Sequence, residues 1–393
     1  MAIALVLCFF ATLSMAIARA EQPAKPVRIG VILASTGGAD SIGKPERQIL
    51  EALEKDWNAS PVGGRRLELQ FTDSGSDPKQ AVTLFQQFAK SPEVLAVIGP
   101  STSGESIQVA EASDKFEGDP PVLLSLAASR EIVVRAGAAA DQPRRWVFKF
   151  AQNDDLAATR IVREMASRGD TKIALLYSKD AFGTSGAKSM EAAVGGTVKL
   201  EQKVPFEANL SRPALIAGSL PAGLDAVLIW GTKPGPQLLL KELRSSGFKG
   251  RVYLSHGNAS NDIIQATGAD CEGAIVLGSR VLTLREYLDP VKPADKAVID
   301  FREFWSKRFP SEPSHFAGHA RDAFEVLRTV LNAKQTIDTR TKLRDAVENE
   351  TKNFCGVTGA FTFSATDHAG LTENAFTTYV IRGGKFVPVE NDR

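Results

Sequence analysis

Residues 94–126, VLAVIGPSTSGESIQVAEASDKFEGDPPVLLSL, begin and end with short apolar runs, and an amphipathic pattern lies between them. The runs VLAVI and PVLLSL have the length and composition of buried β-strands, whereas GESIQVAEASDKF has helical spacing. A strand, a helix and a second strand in this order indicate parallel strands with a helix packed against them. The stretch therefore predicts an α/β protein with mainly parallel sheet.

The same alternation continues on both sides of this stretch. Upstream the chain reads VRIGVIL, ERQILEALEKDW and LELQFT, and downstream it reads LAATRIVREMASRG, KIALLY, SGAKSMEAAV, AVLIWG, GPQLLLKELRSSG and VYLS. The last third has longer helical patterns and ends in FTTYVIRGGKFVPV, where Gly383-Gly384 predicts a hairpin turn. A chain of 393 residues is long enough for two such units, which we expect to be joined by short hinge segments.

Composition excludes several classes of function. Charged residues make up 24% and hydrophobic residues 43% of the chain, which is typical of a folded globular protein. The net charge is only +1, from 47 Lys and Arg against 46 Asp and Glu. The sequence therefore gives no electrostatic argument for binding nucleic acid or an anionic membrane surface.

The N-terminus has the pattern of a secretory signal peptide over residues 1–20. Residues 2–18 are uncharged and mostly apolar, and Ala18-Arg19-Ala20 forms an A-x-A cleavage pattern. The alternative is a retained membrane anchor. Cleavage would remove Cys8 and leave Cys271 and Cys355, which an oxidising compartment allows to pair. We expect a soluble protein exported to the periplasm.

Enzyme and metal motifs are incomplete. Gly99-Pro100-Ser101-Thr102-Ser103 lacks the final glycine of a G-x-S-x-G nucleophile elbow, and there is no phosphate-binding or dinucleotide-binding glycine motif. His315 and His319 are spaced to share a helix face, but no third ligand is evident, so we expect ordinary surface or packing histidines and no metal. Asp154-Asp155 stand at a predicted helix start, where capping and the helix dipole explain them.

Two loops that follow predicted strands have the chemistry of a neutral carboxylate site. They are residues 99–104, GPSTSG, and residues 127–129, AAS. Both offer hydroxyl groups and backbone N–H groups without charge, at the strand ends where α/β sheets bind ligands. The alternative is that these residues only cap helices and form turns.

Six features in order resemble the periplasmic substrate-binding proteins of branched-chain amino acid ABC transporters, the leucine/isoleucine/valine-binding protein family. They are the signal peptide, IGVILASTGG, VGGRRLELQFTDSGSDPKQAV, VIGPSTSGES, LLSLAASRE and YSKDAFGTSG. The resemblance covers essentially the whole mature chain and ends at VTGAFTF. The segment around GGRRLELQ and the loop VIGPSTS are its most specific parts.

This resemblance implies a type I two-lobe clamshell that closes on a small ligand and presents the closed form to a permease in the inner membrane. It implies three hinge crossings, which we expect near residues 150, 280 and 371. The predicted N-terminal lobe is residues 25–149 plus 281–370, and the C-terminal lobe is residues 150–280 plus 371–393. Cys271 and Cys355 then fall in different lobes, which leaves a disulfide open but slightly disfavoured. No cofactor is implied, and we expect a monomer.

The resemblance also implies the ligand-binding residues. The first carboxylate-binding loop matches Ser101, Thr102 and Ser103, of which Ser103 is best placed, and the second matches Ala127 and Ser129. From the second lobe Phe182 occupies an aromatic position, followed by Thr232, with Trp230 as a possible aromatic wall. Ile42 stands at the lip. We expect the first lobe to bind the carboxylate and closure to bring the second lobe over it.

One position departs from the family pattern. Amino-acid binders of this family typically place a carboxylate after the strand that matches VYLS, to hold the ligand ammonium, but this chain has His256 there. A buried ammonium without that partner would lose about 3–5 kcal/mol. The departure predicts a carboxylate without an α-ammonium group, such as an aromatic acid or a 2-oxo acid.

Alternatives remain at this point. His256 could simply pack near the hinge while Asp180 or Glu105 holds an ammonium, and the protein would then bind or sense branched-chain amino acids or amides. A remote alternative, from another class, is a serine hydrolase that uses Ser101 or Ser103 with His256.

Overall fold

The computed structural model describes residues 25–61, 64–334 and 336–391, and the predicted signal peptide lies outside them. Within the described residues two large sheets form, each covered by helices on both faces. The prediction of an α/β protein with two lobes is confirmed. In this part of the chain, no helix is long and apolar enough to cross a membrane.

The first sheet has the strand order β2-β1-β3-β4-β5, and all its pairs are parallel. Its strands are β1 Val27–Leu33, β2 Leu67–Asp73, β3 Val94–Ile98, β4 Val122–Ser125 and β5 Val147–Lys149. The helices of the same segment are α1 Asp40–Ala59, α2 Pro78–Lys90 and α3 Ser103–Asp114. Helix α2 shows how the sequence sets a boundary: Asp77 Oδ1 accepts the Lys79 N–H at 2.8 Å, and Pro78 occupies the first turn.

The second sheet has the order β14-β13-β10-β9-β8-β6-β7 and becomes antiparallel at β13. Its strands are β6 Lys172–Ser178, β7 Lys199–Phe206, β8 Ala226–Trp230, β9 Arg251–Leu254, β10 Ile275–Gly278, β13 Thr377–Arg382 and β14 Lys385–Pro388. Its helices are α4 Asp154–Ser167, α5 Ala181–Ala193, α6 Pro213–Gly218, α7 Gly235–Ser245 and α8 Asn261–Thr267. Gly383 and Gly384 have φ of +53° and +70°, so the predicted hairpin turn is confirmed.

Three later helices return to the first sheet. Helices α9 Pro293–Ser306, α10 His315–Ala333 and α11 Arg340–Glu350 pack with α1 in the apolar core of that sheet. The first lobe therefore contains chain from both before and after the bulk of the second. The exact lobe limits and the number of hinge crossings remain predictions.

The two described cysteines are both free. Cys271 is buried in the core of the second sheet, whereas Cys355 is exposed in a small hairpin of β11 Phe354–Cys355 and β12 Ala360–Phe361. The structure does not join them.

Candidate functional site

A cavity of about 390 Å³ lies between the two lobes. Its walls come from loops that follow strands of both sheets and from the first turns of α1, α3, α5 and α10. The carboxyl ends of parallel strands are where α/β sheets place ligands. The volume is at the lower end of the range of about 300–1,000 Å³ for small-molecule sites, which suits a small ligand.

Eight of the ten residues predicted to bind ligand line this cavity. They are Ile42, Ser101, Thr102, Ser103, Ala127, Phe182, Thr232 and His256. Ser129 and Trp230 are fully buried and stand outside the lining.

The hydroxyl groups of Ser101 and Thr102 are already used within the fold. Ser101 Oγ accepts the Ala34 N–H at 3.0 Å and lies 2.5 Å from Glu46 Oε2. Thr102 forms a capping box with Glu105 at the start of α3. These two side chains therefore shape the loop, and Glu105, a candidate ammonium partner, acts as a helix cap.

Ser103 is differently placed. Its Oγ accepts the Ser129 N–H at 3.3 Å, which leaves the hydroxyl hydrogen available to a ligand in the cavity. As the first residue of α3, Ser103 also has a backbone N–H without an intrahelical acceptor. Ser129 is a supporting residue in this arrangement, because its N–H orients the Ser103 hydroxyl.

The N-termini of α3 and α5 approach each other across the cavity. A Cβ placed on Gly104, in the first turn of α3, would lie 3.8 Å from the Cβ of Ala181, the first residue of α5. Asp180 caps α5 by accepting the Gly183 N–H at 2.8 Å. Because the N-terminus of a helix carries partial positive charge, the two helices together favour an anion between them.

Phe182 provides an aromatic wall from the second lobe. Its ring centroid lies 5.1 Å from that of His256 and 5.9 Å from that of Trp230. Trp230 packs behind these rings and against Gly186, where a Cβ would come within 2.1 Å of the indole. The prediction that Trp230 forms the cavity wall itself therefore differs from the structure, because Phe182 and His256 stand in front of it.

Three histidines meet at the cavity. The His315 ring is 6.3 Å from that of His256 and 4.1 Å from that of His319, measured between centroids. His315 and His319 share one face of α10, and both are buried, which agrees with the interpretation of packing histidines. Both also line the cavity, which that interpretation did not include. Their helical spacing was visible in the sequence, but it could not show that α10 begins at the cavity.

These histidines are neutral. Burial lowers the pKa of His315 to about 3 and lowers the pKa of His256 and His319 well below their usual value. Among the described residues, no group of three or more His, Cys, Asp and Glu side chains is arranged to hold a metal ion.

Asp154 is a buried acid that lies behind His256. The sequence did not predict this burial or this position. Asn153 holds the cap position of α4, so the interpretation of Asp154 as a capping residue is wrong. Asp154 Oδ1 lies 3.5 Å from His256 Nε2, and burial raises the pKa of the Asp154 carboxyl. Lys149 Nζ, also fully buried, donates to Ala128 O at 2.5 Å and to Asn153 Oδ1, and burial lowers its pKa.

No catalytic pair is formed at the cavity. Neither ring nitrogen of His256 has a hydrogen-bond partner among the described residues, and so neither Ser101 nor Ser103 is activated by it. A nucleophilic serine needs such a base within hydrogen-bond reach.

Two lobes with helix-covered sheets and a small ligand-sized cavity between them define a bilobal solute-binding protein. Residues 26–385 match the family described as "Periplasmic binding protein", and the chain belongs to this family. The resemblance found in the sequence is confirmed, and the chain is a binding protein rather than an enzyme.

Three relatives are distant in sequence but span nearly the whole chain. The Leu/Ile/Val-binding protein homolog 3 of Brucella melitensis is 23% identical over 93% of this chain and 94% of its own length. An extracellular ligand-binding receptor from Rhodopseudomonas palustris HaA2 is 25% identical, with a TM-score of 0.81 over 92% of this chain and 99% of that one. The substrate binding protein LivJ of the Streptococcus pneumoniae branched-chain amino acid transporter, solved with isoleucine, is 18% identical, with a TM-score of 0.76 over 92% of this chain and 97% of that one.

Proposed function

We propose that the protein is a periplasmic receptor that delivers a small carboxylate without an α-ammonium group to an ABC permease in the inner membrane. The ligand is an aromatic acid or a 2-oxo acid. The observation that carries the proposal is His256 in the cavity wall, at the position where the resemblance leads us to expect an acid. An imidazole ring is either neutral or positively charged, so His256 offers no negative charge to an ammonium. Burial lowers the pKa of this ring well below its usual value.

The cavity also offers groups that attract an anion. Ser103 offers a hydroxyl donor, and the first turns of α3 and α5 offer N–H groups and two converging helix dipoles. A carboxylate held by such neutral donors needs no basic side chain. The carboxylate would bind to the first lobe through Ser103 and the loop at Ala127, which Ser129 supports.

A branched-chain amino acid is the second candidate. Asp180 is the one acidic side chain among the cavity-lining residues that the structure describes, and relatives of this chain are named for leucine, isoleucine and valine. Its carboxylate already caps α5, which reduces its capacity to hold an ammonium. This existing hydrogen bond of Asp180 favours the first candidate ligand, a carboxylate without an α-ammonium group.

Closure of the lobes completes the site. Phe182 and His256 would cover the ligand, with Trp230 packed behind them, and the contacts made only in the closed form would stabilise that form. No covalent chemistry is required.

Matched ligand pairs test the proposal. Leucine and 4-methyl-2-oxopentanoate differ only at the α-position, as do phenylalanine and phenylpyruvate. We expect the oxo acids, or simple aromatic acids such as phenylacetate, to raise the unfolding midpoint of the mature protein by a few degrees at saturation, and the amino acids to leave it unchanged. Stabilisation by leucine that is lost in Asp180→Asn, with no response to any of the acids, would establish the second candidate instead.

A further inference from the structure

Two adjacent histidines of the cavity wall each have one ring nitrogen that makes no hydrogen bond to any residue that the structure describes. The atoms are His315 Nε2 and His319 Nδ1, and both are buried. The two rings belong to α10, one turn apart, with centroids 4.1 Å from each other. A buried nitrogen without a hydrogen bond has lost its hydration without compensation, so a ligand group that pairs with both nitrogens would gain affinity from them.

The hydrogen bonds of His315 Nδ1 determine whether His315 Nε2 is a donor or an acceptor. His315 Nδ1 accepts the Ser279 backbone N–H at 3.1 Å and lies 2.8 Å from Ser279 Oγ. An atom that accepts from a backbone N–H carries no proton, and the ring is neutral. The single ring proton of His315 is therefore on Nε2, which makes that atom a donor.

His319 has the opposite role. Its Nε2 lies 3.1 Å from Gln152 Oε1, and the orientation of this amide is fixed because Gln152 Nε2 donates to Thr358 O at 2.9 Å and to Ala375 O at 3.4 Å. An amide oxygen only accepts, so His319 Nε2 is the protonated nitrogen. His319 Nδ1 is therefore an acceptor.

We propose that this donor and this acceptor together recognise a hydroxyl group of the ligand, which makes the ligand a hydroxyl-bearing carboxylic acid. The inference rests on the proposed carboxylate function and deepens it. A hydroxyl oxygen accepts from His315 Nε2–H while its hydrogen is donated to His319 Nδ1, so a single group satisfies both rings. Ser103 and the two helix N-termini bind the carboxylate of the same molecule.

Other common groups fit this pair less well. An ammonium only donates and would face the His315 N–H, whereas a second carboxylate only accepts and would face the lone pair of His319. A keto oxygen satisfies His315 alone. The pair of histidines thus favours a hydroxylated acid over both an amino acid and a plain 2-oxo acid.

Calorimetric titration of the mature protein with ligands that differ by one ring hydroxyl tests the inference. The pairs are 4-hydroxybenzoate with benzoate and 4-hydroxyphenylacetate with phenylacetate, and 4-methoxyphenylacetate serves as an acceptor-only analogue. We expect at least one hydroxylated acid to bind about tenfold or more tightly than its partner, and the methoxy acid to lose most of this advantage.

Variants assign the effect to the histidines. His319→Leu should abolish the preference for the hydroxyl group. Phe316→Leu, which changes an apolar residue of the same helix and the same cavity, should weaken both members of a pair equally. A preference that persists in His319→Leu would overturn the inference, and the unmodified protein tests the ligand pairs even if this variant does not fold.

The titrations distinguish a failure of the hydroxyl inference from a failure of the proposed carboxylate function. Equal binding of both members of each pair would overturn the hydroxyl inference and leave the carboxylate function standing. Binding of leucine with no binding of any acid would overturn both.

Discussion

Lys233 Nζ lies 3.1 Å from Asp40 Oδ1, and this ion pair joins the second lobe to the first at the rim of the cavity. Asp40 also bonds Lys44 within α1, and these two lysines hold the pKa of its carboxyl below the usual range. A second ion pair, Lys188 with Glu131 at 3.0 Å, joins α5 to the loop beyond β4. Both pairs require the lobes to be close together.

Removal of the rim ion pair should weaken closure. We expect Asp40→Asn to reduce ligand affinity by about twofold to fivefold at low salt, in line with the value of up to about 1 kcal/mol for exposed pairs. The difference should disappear in about 1 M salt, because such charges are screened. Lys44→Met is the matched control, since it removes the partner within α1 and leaves Lys233 in place. Equal losses in the two variants would contradict the role of the pair across the lobes.

The serines of the first loop should separate into a stability residue and a binding residue. Ser103→Ala removes a donor to the charged ligand and should lower affinity by about tenfold to a hundredfold. It also leaves the buried Ser129 N–H without its acceptor, so a loss of stability smaller than that of Ser101→Ala should accompany it. Ser101→Ala leaves Glu46 and the Ala34 N–H without their partner and should lower stability by about 1–3 kcal/mol. Calorimetric titration and urea unfolding measure the two effects, and an interchange of the two outcomes would show that Ser101 binds the ligand.

The size of residue 104 should limit how far the lobes close. Gly104→Ala places a methyl at ordinary contact distance from Ala181 and should bind ligand normally. Gly104→Leu needs more room than the gap of 3.8 Å provides, so we expect the open form to dominate and affinity to fall at least about tenfold. Small-angle scattering with saturating ligand should show compaction for the Ala variant and none for the Leu variant. Normal compaction of the Leu variant would place the closing contact elsewhere.

Acid pH should destabilise the ligand-free protein through its buried histidines. The pKa of His315 is about 3 in the folded state and about 6.5 when unfolded, so below pH 6.5 the unfolded chain binds a proton that the folded chain does not. Stability from this residue is present above pH 6.5 and falls by about 2 kcal/mol by pH 5.

The variant His315→Leu isolates this contribution. Urea unfolding at pH 8 and pH 5 should show that the difference in stability between wild type and variant shifts by about 2 kcal/mol in favour of the variant at pH 5. The buried acids Asp154 and Glu46, whose pKa burial raises, act in the opposite direction but are common to both proteins. A constant difference at the two pH values would mean that His315 is already charged in the fold.

Sequence patterns predicted most of the elements that position the site. The apolar run at Val27–Leu33 and the cap at Asp77 act locally, and the structure reproduces both. Strand β7 was not predicted, because it is an edge strand whose exposed face carries charged residues and its inward face is only half-buried. Its assignment depends on the neighbouring strand rather than on its own sequence.

The site was harder to predict than the fold, because its residues are brought together by contacts between distant parts of the chain. Ser103 and Phe182 lie in the first turns of the helices that come after β3 and β6, so strand ends indicate them. His315 reaches the cavity only because α10 returns to the first sheet from a distant part of the chain. Asp154 carries a capping pattern in the sequence, and only tertiary packing brings it beside His256.

The position of Trp230 has an optical consequence. Of the four tryptophans, Trp57, Trp146 and Trp305 belong to the core of the first lobe, whereas Trp230 lies directly behind two rings that line the cavity. Indole emission depends on the polarity and mobility of its surroundings, and rings that shift upon a ligand would alter both at Trp230 without contact between ligand and indole. The protein thus carries an intrinsic fluorophore one layer away from its ligand, suited to follow binding and closure in real time without a label.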